Sequence, residues 1–298
     1  MTDAPRADAA SAQAVVDSFV RLLDLRTLDV DRFEGVSPPE RRQRVFGGQV
    51  AGQALVAAGR TVDPARQVHS LHAYFVRGGD PSEPIVYEVD RVRDGRSFSV
   101  RRCVASQSGK PIFMMSASFQ RAETGLDHQV EAPLDVPGPE TVPSLQEMFE
   151  THPGSSELFG GGRDLPFDIR YLGSLPWPAP HNRPKAQRRR SWIRIRGRLP
   201  DDPLLHACAL TFCSDLTLLD STLVVHGEVW GPGGVVGASL DHALWLHRPF
   251  RADEWFLYDC TSPSASGARG LATGQMFTMD GRLIATVIQE GLLRRVGA

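Results

Sequence analysis

The sequence repeats one order of motifs in its two halves, about 170 residues apart. The shared motifs lie at residues 69–75, 94–98 and 109–113 in the first half, and at 238–245, 266–270 and 280–282 in the second. Ser97 and Gly109 are separated by 12 positions, and so are Arg269 and Gly281. A repeat this long predicts two copies of one domain that face each other.

Each copy is predicted to contain one long helix and a largely antiparallel sheet. Apolar residues recur at helical spacing over 11–25 and 46–59, and a second long helix is expected in the first half of the apolar segment 204–224. Alternation and β-branched or aromatic residues predict strands at 28–36, 69–77, 85–92, 98–106 and 112–120, then at 191–198, 235–246, 255–260, 270–278 and 283–293. The fold class is therefore α+β.

The domain limits follow from composition. We assign 1–120 to the first domain, with 1–12 as a loose polar tail, and 161–298 to the second. The segment 121–160 between them begins with a proline-rich stretch that has few large apolar residues, which is typical of a linker. A short helix is expected there at 145–149.

Composition excludes several classes of protein. Of the 298 residues, 41% are hydrophobic and 23% charged, as in soluble globular proteins. A net charge of −2 gives no overall attraction to nucleic acid, and no apolar run approaches the roughly 20 residues of a membrane helix. The four cysteines form no Cys-x-x-Cys pair, so we expect buried, reduced thiols in a cytoplasmic protein, with no metal and no cofactor.

Several motifs, in the same order along the chain, resemble those of the type II acyl-CoA thioesterases. They are Phe46-Gly47-Gly48-Gln49, residues 69–75, 94–98 and 109–113, Ser214-Asp215, Leu240-Asp241-His242, and residues 247–250, 264–270 and 289–291. The resemblance implies a double hot-dog fold, in which each sheet wraps its own helix and the two sheets join into one. It also implies hydrolysis of fatty acyl-CoA to free fatty acid and CoA, without a cofactor.

The family's catalytic set of an aspartate, a hydroxyl and a glutamine corresponds here to Asp215, Ser239 and Gln289. A carboxylate in an apolar helix could accept a proton from water, and burial would raise its pKa towards a useful range. Gln289 cannot ionise and suits orientation of the water, whereas Ser239 could relay or donate a hydrogen bond.

The first copy is expected to contribute donors for the developing oxyanion. Backbone N–H groups at Gly47 and Gly48 are the primary candidates, with Gln49 and His69 as further candidates for substrate binding. The first copy has no carboxylate where its helix ends, at 58–60, and no amide where Gln289 lies in the second copy. The repeat therefore predicts one active site per chain.

Two other functions remain open from the residues alone. A hot-dog enoyl-CoA hydratase or dehydratase would need a histidine with a carboxylate, for which Asp241-His242 is the available pair. A non-catalytic acyl-CoA-binding module would keep the pocket without the chemistry. For either function we expect a homodimer or homotetramer, because most soluble oligomers are symmetric homomers.

Overall fold

The computed structural model describes residues 4–38, 44–151, 165–173, 185–231 and 233–296. The helices in these ranges are α1 (Ala4–Leu23), α2 (Gly47–Gly59), α3 (Leu145–Thr151), α4 (Pro203–Thr217) and α5 (Asp220–His226). The strands of the first half are β1 (Arg26–Asp29), β2 (Arg32–Gly35), β3 (Arg66–Phe75), β4 (Ile85–Asp94), β5 (Phe98–Gln107) and β6 (Lys110–Arg121). Those of the second half are β7 (Phe167–Leu172), β8 (Arg188–Ile195), β9 (Val235–Ser239), β10 (Asp241–Leu246), β11 (Phe256–Ser266), β12 (Arg269–Thr278) and β13 (Leu283–Arg295).

Within the described ranges the strands form one antiparallel sheet, in the order β1-β2-β4-β5-β6-β3-β10-β13-β12-β11-β8-β7, and β9 adds to β13. The two halves join where β3 pairs with β10, with Leu71 opposite Leu244. Helix α2 packs on the sheet of the first half, and α5 on that of the second. This is the double hot-dog architecture, so the predicted α+β fold is confirmed.

Glycines let α2 and α4 approach each other closely in antiparallel orientation. A methyl group on Gly48 would lie 2.3 Å from the carbonyl oxygen of Phe212, and one on Gly52 would lie 3.2 Å from that of Cys208. Contacts shorter than about 3 Å force something to move, so only glycine fits at position 48. As a result, the first residues of α2 lie beside the last turn of α4.

The core is continuous across the two copies and includes residues of α1, such as Val16 and Phe19. The linker crosses the outer face of the second half, where the carbonyl of Pro137 accepts a hydrogen bond from Nε1 of Trp192. The apolar segment Pro203–His226 is long enough to span a membrane, but 72% of its apolar window is buried within the fold, as expected of core helices.

Four local features differ from the sequence-based expectations. Helix α1 begins at Ala4, within the segment 1–12 that we expected to be a loose tail. The strand expected at 28–36 is the hairpin β1–β2, which turns at Asp31 with a positive φ of 57°. The strand expected at 235–246 is divided at Leu240 into β9 and β10. The apolar segment after residue 203 forms two helices, and the second ends at Gly227 with a left-handed φ of 70°.

Candidate active site

The side chains of Asp215, Ser239 and Gln289 meet in the second copy. Asp215 lies in the last turn of α4, Ser239 ends β9, and Gln289 lies on β13. Oδ1 of Asp215 accepts hydrogen bonds from Oγ of Ser239 at 3.1 Å and from Nε2 of Gln289 at 2.6 Å. The glutamine is fully buried, whereas Asp215 and Ser239 are half-buried and remain accessible to a ligand.

The N-terminus of α2 reaches this cluster from the first copy. A methyl group on Gly47 would lie 2.7 Å from Oδ2 of Asp215 and 2.8 Å from Cε1 of Phe75. No side chain caps the helix at Phe46. The first N–H groups of a helix have no partner within it, and its N-terminus carries a partial positive charge. The start of α2 is therefore suited to bind an anionic oxygen beside Asp215.

The pseudo-symmetric position at the other ends of the two helices has a different composition. Gly59 of α2 occupies the place that corresponds to Asp215, and a methyl group there would lie 2.5 Å from the side chain of Leu204. The start of α4 is capped, because Oδ1 of Asp202 accepts a hydrogen bond from the N–H of Leu204 at 2.9 Å. This end has no carboxylate at position 59 and a capped helix start, which agrees with one site per chain.

Not all of the candidate residues lie at this cluster. Nε2 of Gln49 donates to Oγ of Ser37 at 3.0 Å and so braces the segment before α2. His69 pairs with Oγ of Ser118 at 2.8 Å. It precedes Phe75 by six residues on β3, which corresponds to roughly 20 Å along an extended strand. The geometry thus brings together Asp215, Ser239, Gln289 and Gly47, but not Gln49 or His69.

A histidine that the sequence suggested only as part of a lyase pair lies next to the cluster. His242 is buried, and its Nε2 lies 2.8 Å from Oγ of Ser214. Burial lowers the pKa of His242 to about 4, against a smaller opposing effect of a hydrogen bond with Gln289. Asp241 instead accepts a hydrogen bond from the backbone N–H of Glu290 through Oδ1 at 2.6 Å. Consecutive strand residues point to opposite faces, so Asp241 and His242 cannot act as one acid–base pair.

Aromatic side chains enclose the cluster on the side of the two helices. Phe46 packs against Phe212 with ring centroids 5.0 Å apart, and Phe212 packs against Phe19 at 5.1 Å and Phe167 at 5.7 Å. This apolar environment suits a fatty acyl group and strengthens electrostatic interactions at the thioester.

The titratable groups near the site do not form a metal-binding cluster. In the described ranges no three His, Cys, Asp or Glu side chains converge as metal ligands do. The four cysteines are all buried and unpaired. The predicted absence of a metal or cofactor stays a prediction.

Comparisons with known proteins agree with this geometry. Residues 37–120 match the model of the acyl-CoA thioesterase N-terminal domain, and residues 176–292 match the acyl-CoA thioesterase model. The chain is 39% identical to human acyl-coenzyme A thioesterase 8, over 92% of this chain and 88% of the relative. It is 38% identical to acyl-CoA thioesterase 2 of Haemophilus influenzae, over 94% and 98%.

Solved structures extend these similarities. The acyl-CoA thioesterase II TesB2 of Mycobacterium marinum is 44% identical, with a TM-score of 0.76 over 94% of this chain and 98% of that one. A hot-dog protein of Alicyclobacillus acidocaldarius, at 18% identity and a TM-score of 0.74, supports the fold alone.

Proposed function

The chain belongs to the acyl-CoA thioesterase family, and we propose that it hydrolyses its substrate with a water bound and activated by Asp215, Ser239 and Gln289. It is a thioester hydrolase, which converts acyl-CoA to a free acid and CoA. The observation that carries the assignment of these residues is the convergence of Ser239 and Gln289 on a single oxygen of Asp215.

In the proposed mechanism Asp215 accepts a proton from the water as the water oxygen attacks the thioester carbonyl. The new C–O bond gives a tetrahedral intermediate. When this collapses, the C–S bond breaks, and the proton held by Asp215 passes to the CoA sulfur as the thiol leaves. The two hydrogen bonds on Oδ1 fix the carboxylate in one orientation, which keeps the basic oxygen aligned with the water.

The oxyanion of the intermediate is bound by backbone N–H groups in the first turn of α2. Gly47 supports this role because its lack of a side chain leaves space between the helix start and Asp215. One such donor contributes a factor of about 100 to 1,000 in kcat in acyl-transfer enzymes. In this division of labour, the first copy stabilises charge and the second copy activates water.

The test is a thiol-release assay with saturated acyl-CoA esters from two to eighteen carbons, run beside an assay for hydration of enoyl-CoA. The proposal expects stoichiometric CoA thiol and free acid. Hydration without thiol release would indicate a lyase, and tight binding without either reaction would indicate a binding module. The profile over chain length gives the preferred substrate.

We also propose a cytoplasmic, homo-oligomeric protein that acts on fatty acyl-CoA without inserting into a membrane. Four buried, unpaired cysteines support a reducing compartment. On the outer face of the sheet, Tyr74 lies opposite Met114 with 63% and 43% of their surfaces exposed, which leaves apolar area for contact with another subunit.

A further inference from the structure

The amide of Gln289 is part of a buried chain of polar groups that continues beyond Asp215. Strands β10 and β13 pair with Ala243 opposite Ile288, so His242 lies directly across from Gln289. Both side chains are buried and face the helices. On the far side of the imidazole, Nε2 of His242 meets Oγ of Ser214. The order of groups is therefore Ser214, His242, Gln289 and Asp215.

Hydrogen-bond donors and acceptors must alternate along this chain. Nε2 of Gln289 donates to the carboxylate of Asp215, and this orientation turns Oε1 away from Asp215. Neither Oε1 of Gln289 nor Nδ1 of His242 has another partner, and the two side chains interact with each other. A neutral imidazole has one N–H group and one acceptor nitrogen.

Only one assignment gives every contact a donor and an acceptor. If Nδ1 of His242 carries the hydrogen, it donates to Oε1 of Gln289, and Nε2 accepts from the hydroxyl of Ser214. In the other tautomer, Nδ1 and Oε1 would oppose each other as two acceptors. Rotating the amide would remove that clash but would place Oε1 against the carboxylate of Asp215. Tautomers follow from such networks rather than from the positions of the ring atoms.

We propose that His242 is a positioning residue that donates from Nδ1 to Oε1 of Gln289 and thereby fixes the orientation in which the amide donates to Asp215. Ser214 in turn selects the tautomer. The inference rests on the roles given above to Gln289 and Asp215. His242 touches neither water nor substrate, and its burial explains why the sequence pattern alone suggested a structural residue or a base.

The test compares two amides at position 242. The side-chain nitrogen of asparagine is bonded to Cγ, as Nδ1 is, so His242→Asn keeps a donor for Gln289. In glutamine the amide lies one carbon further out, near the place of Nε2, so His242→Gln reaches Ser214 instead. His242→Phe keeps the ring volume and removes both nitrogens. Each variant is measured for kcat, KM and melting temperature.

We expect His242→Asn to keep kcat within about threefold of the unmodified enzyme. His242→Gln and His242→Phe should lower kcat about 10- to 100-fold, the size of effect typical when a partner that orients a functional side chain is lost. KM should change little in all three. In a Gln289→Ala background, His242→Phe should cause no further loss, because its effect passes through the amide.

Three results separate this inference from the proposed function. Full kcat in folded His242→Gln and His242→Phe, with Gln289→Ala impaired, would overturn the role of His242 and leave the active site in place. Independent, multiplying losses in the double variant would also overturn it. Full activity of Gln289→Ala and Asp215→Asn would overturn the proposed function together with this inference. If His242→Phe does not fold, the Asn and Gln variants decide.

A spectroscopic measurement tests the tautomer directly in the unmodified protein. With 15N-labelled histidine, the resonances of His242 are identified by their loss in His242→Asn. We expect a protonated Nδ1 and an unprotonated Nε2 at neutral pH. The opposite tautomer would overturn the proposed donation to Gln289.

Discussion

At the scale of single residues, Oδ1 of Asp215 receives two hydrogen bonds whose donors can be removed separately. Gln289→Ala removes a buried amide that water cannot easily replace, so we expect kcat to fall roughly 100-fold. Ser239→Ala should cost about tenfold or less, because a water can occupy the half-buried position of the hydroxyl. Thiol-release kinetics check both values.

Gln49→Ala is the matched control for Gln289→Ala. It removes a buried amide that braces residues before α2 and does not touch Asp215. We expect Gln49→Ala to lower the melting temperature with little change in kcat. A larger loss of kcat in Gln49→Ala than in Gln289→Ala would move the site towards the first copy.

A second buried carboxylate gives a pH-dependent prediction. Burial raises the pKa of Asp220 to about 6, although Nε1 of Trp230 and the hydroxyl of Tyr171 donate to it at 2.6 and 3.1 Å. Because this pKa lies above the value of 3.8 in the unfolded chain, the carboxyl contributes its full stability below about pH 4. That contribution is lost as the pH rises through 6.

Asp220→Asn removes this titration. The free energy of unfolding of the variant minus that of the unmodified protein should therefore increase by about 3 kcal/mol between pH 4 and pH 7.5. Urea titrations at several pH values measure the difference. A difference that does not vary with pH would show that Asp220 has an ordinary pKa in the folded protein.

The sequence indicated which residues meet at Asp215, but not which candidates lie elsewhere. Asp215, Ser239 and Gln289 were predicted from motifs whose order along the chain is shared with a known family. His69 was a plausible ligand because it opens a motif, yet its position at the far end of β3 follows only from the strand register. The contact of His242 with Ser214 likewise depends on how α4 crosses β10, which no local pattern encodes.

At the scale of elements, adjacent glycines in α2 have different roles. A methyl group on Gly47 would press on the side chains of Asp215 and Phe75, whereas one on Gly48 would press on the backbone of α4. We expected at first that Gly48→Val would lower kcat in a folded protein. The close approach of the helices instead predicts a loss of stability, so Gly47 is the better probe of the oxyanion site.

Gly47→Ala should lower kcat roughly 100-fold, because displacement of a reacting group by about 1 Å can have this effect. Gly48→Ala should lower the free energy of unfolding by about 1–3 kcal/mol through overpacking. Gly125→Ala, with no atom within 4 Å of the added methyl group, is the control and should change neither. Equal effects of the first two substitutions on kcat and on stability would contradict this division.

The order of helices and strands was predictable because amphipathic periodicity is a local property. The errors fall where local and distant interactions compete. Residues 235–246 alternate as one strand, but the N–H of Leu240 pairs with the carbonyl of Glu290, while the carbonyl of Leu240 pairs with Phe75 on β3. These two partners bend the chain between β9 and β10. The turn at Asp31 was missed because aspartate tolerates positive φ without a glycine to mark it.

At the scale of the whole molecule, the two copies differ at the two ends of one helix pair. The start of α2 faces Asp215, and the start of α4 is capped by Asp202 beside Leu204 and Gly59. Duplication thus allowed one end to specialise for chemistry and the other for packing. The domain limits 1–120, 121–160 and 161–298 stay a prediction, because the core and the sheet are continuous between the copies.

The assembly of the protein is also a prediction at this scale. We expect light scattering to give two or four times the mass of one chain, and Tyr74→Glu to shift the mass towards that of the monomer by charging the exposed face near Met114. A stable monomer of the unmodified protein at micromolar concentration would contradict the expected oligomer and leave the chemistry unchanged.

The central claim is that Asp215 takes the proton of the attacking water. The most direct measurement is thiol release from a saturating acyl-CoA by the unmodified protein and by Asp215→Asn, with equal melting temperatures as the condition for comparison. Asparagine keeps the size of the side chain and cannot accept the proton, so kcat should fall about 100-fold or more while KM changes little. Full kcat in a folded Asp215→Asn protein would contradict the account.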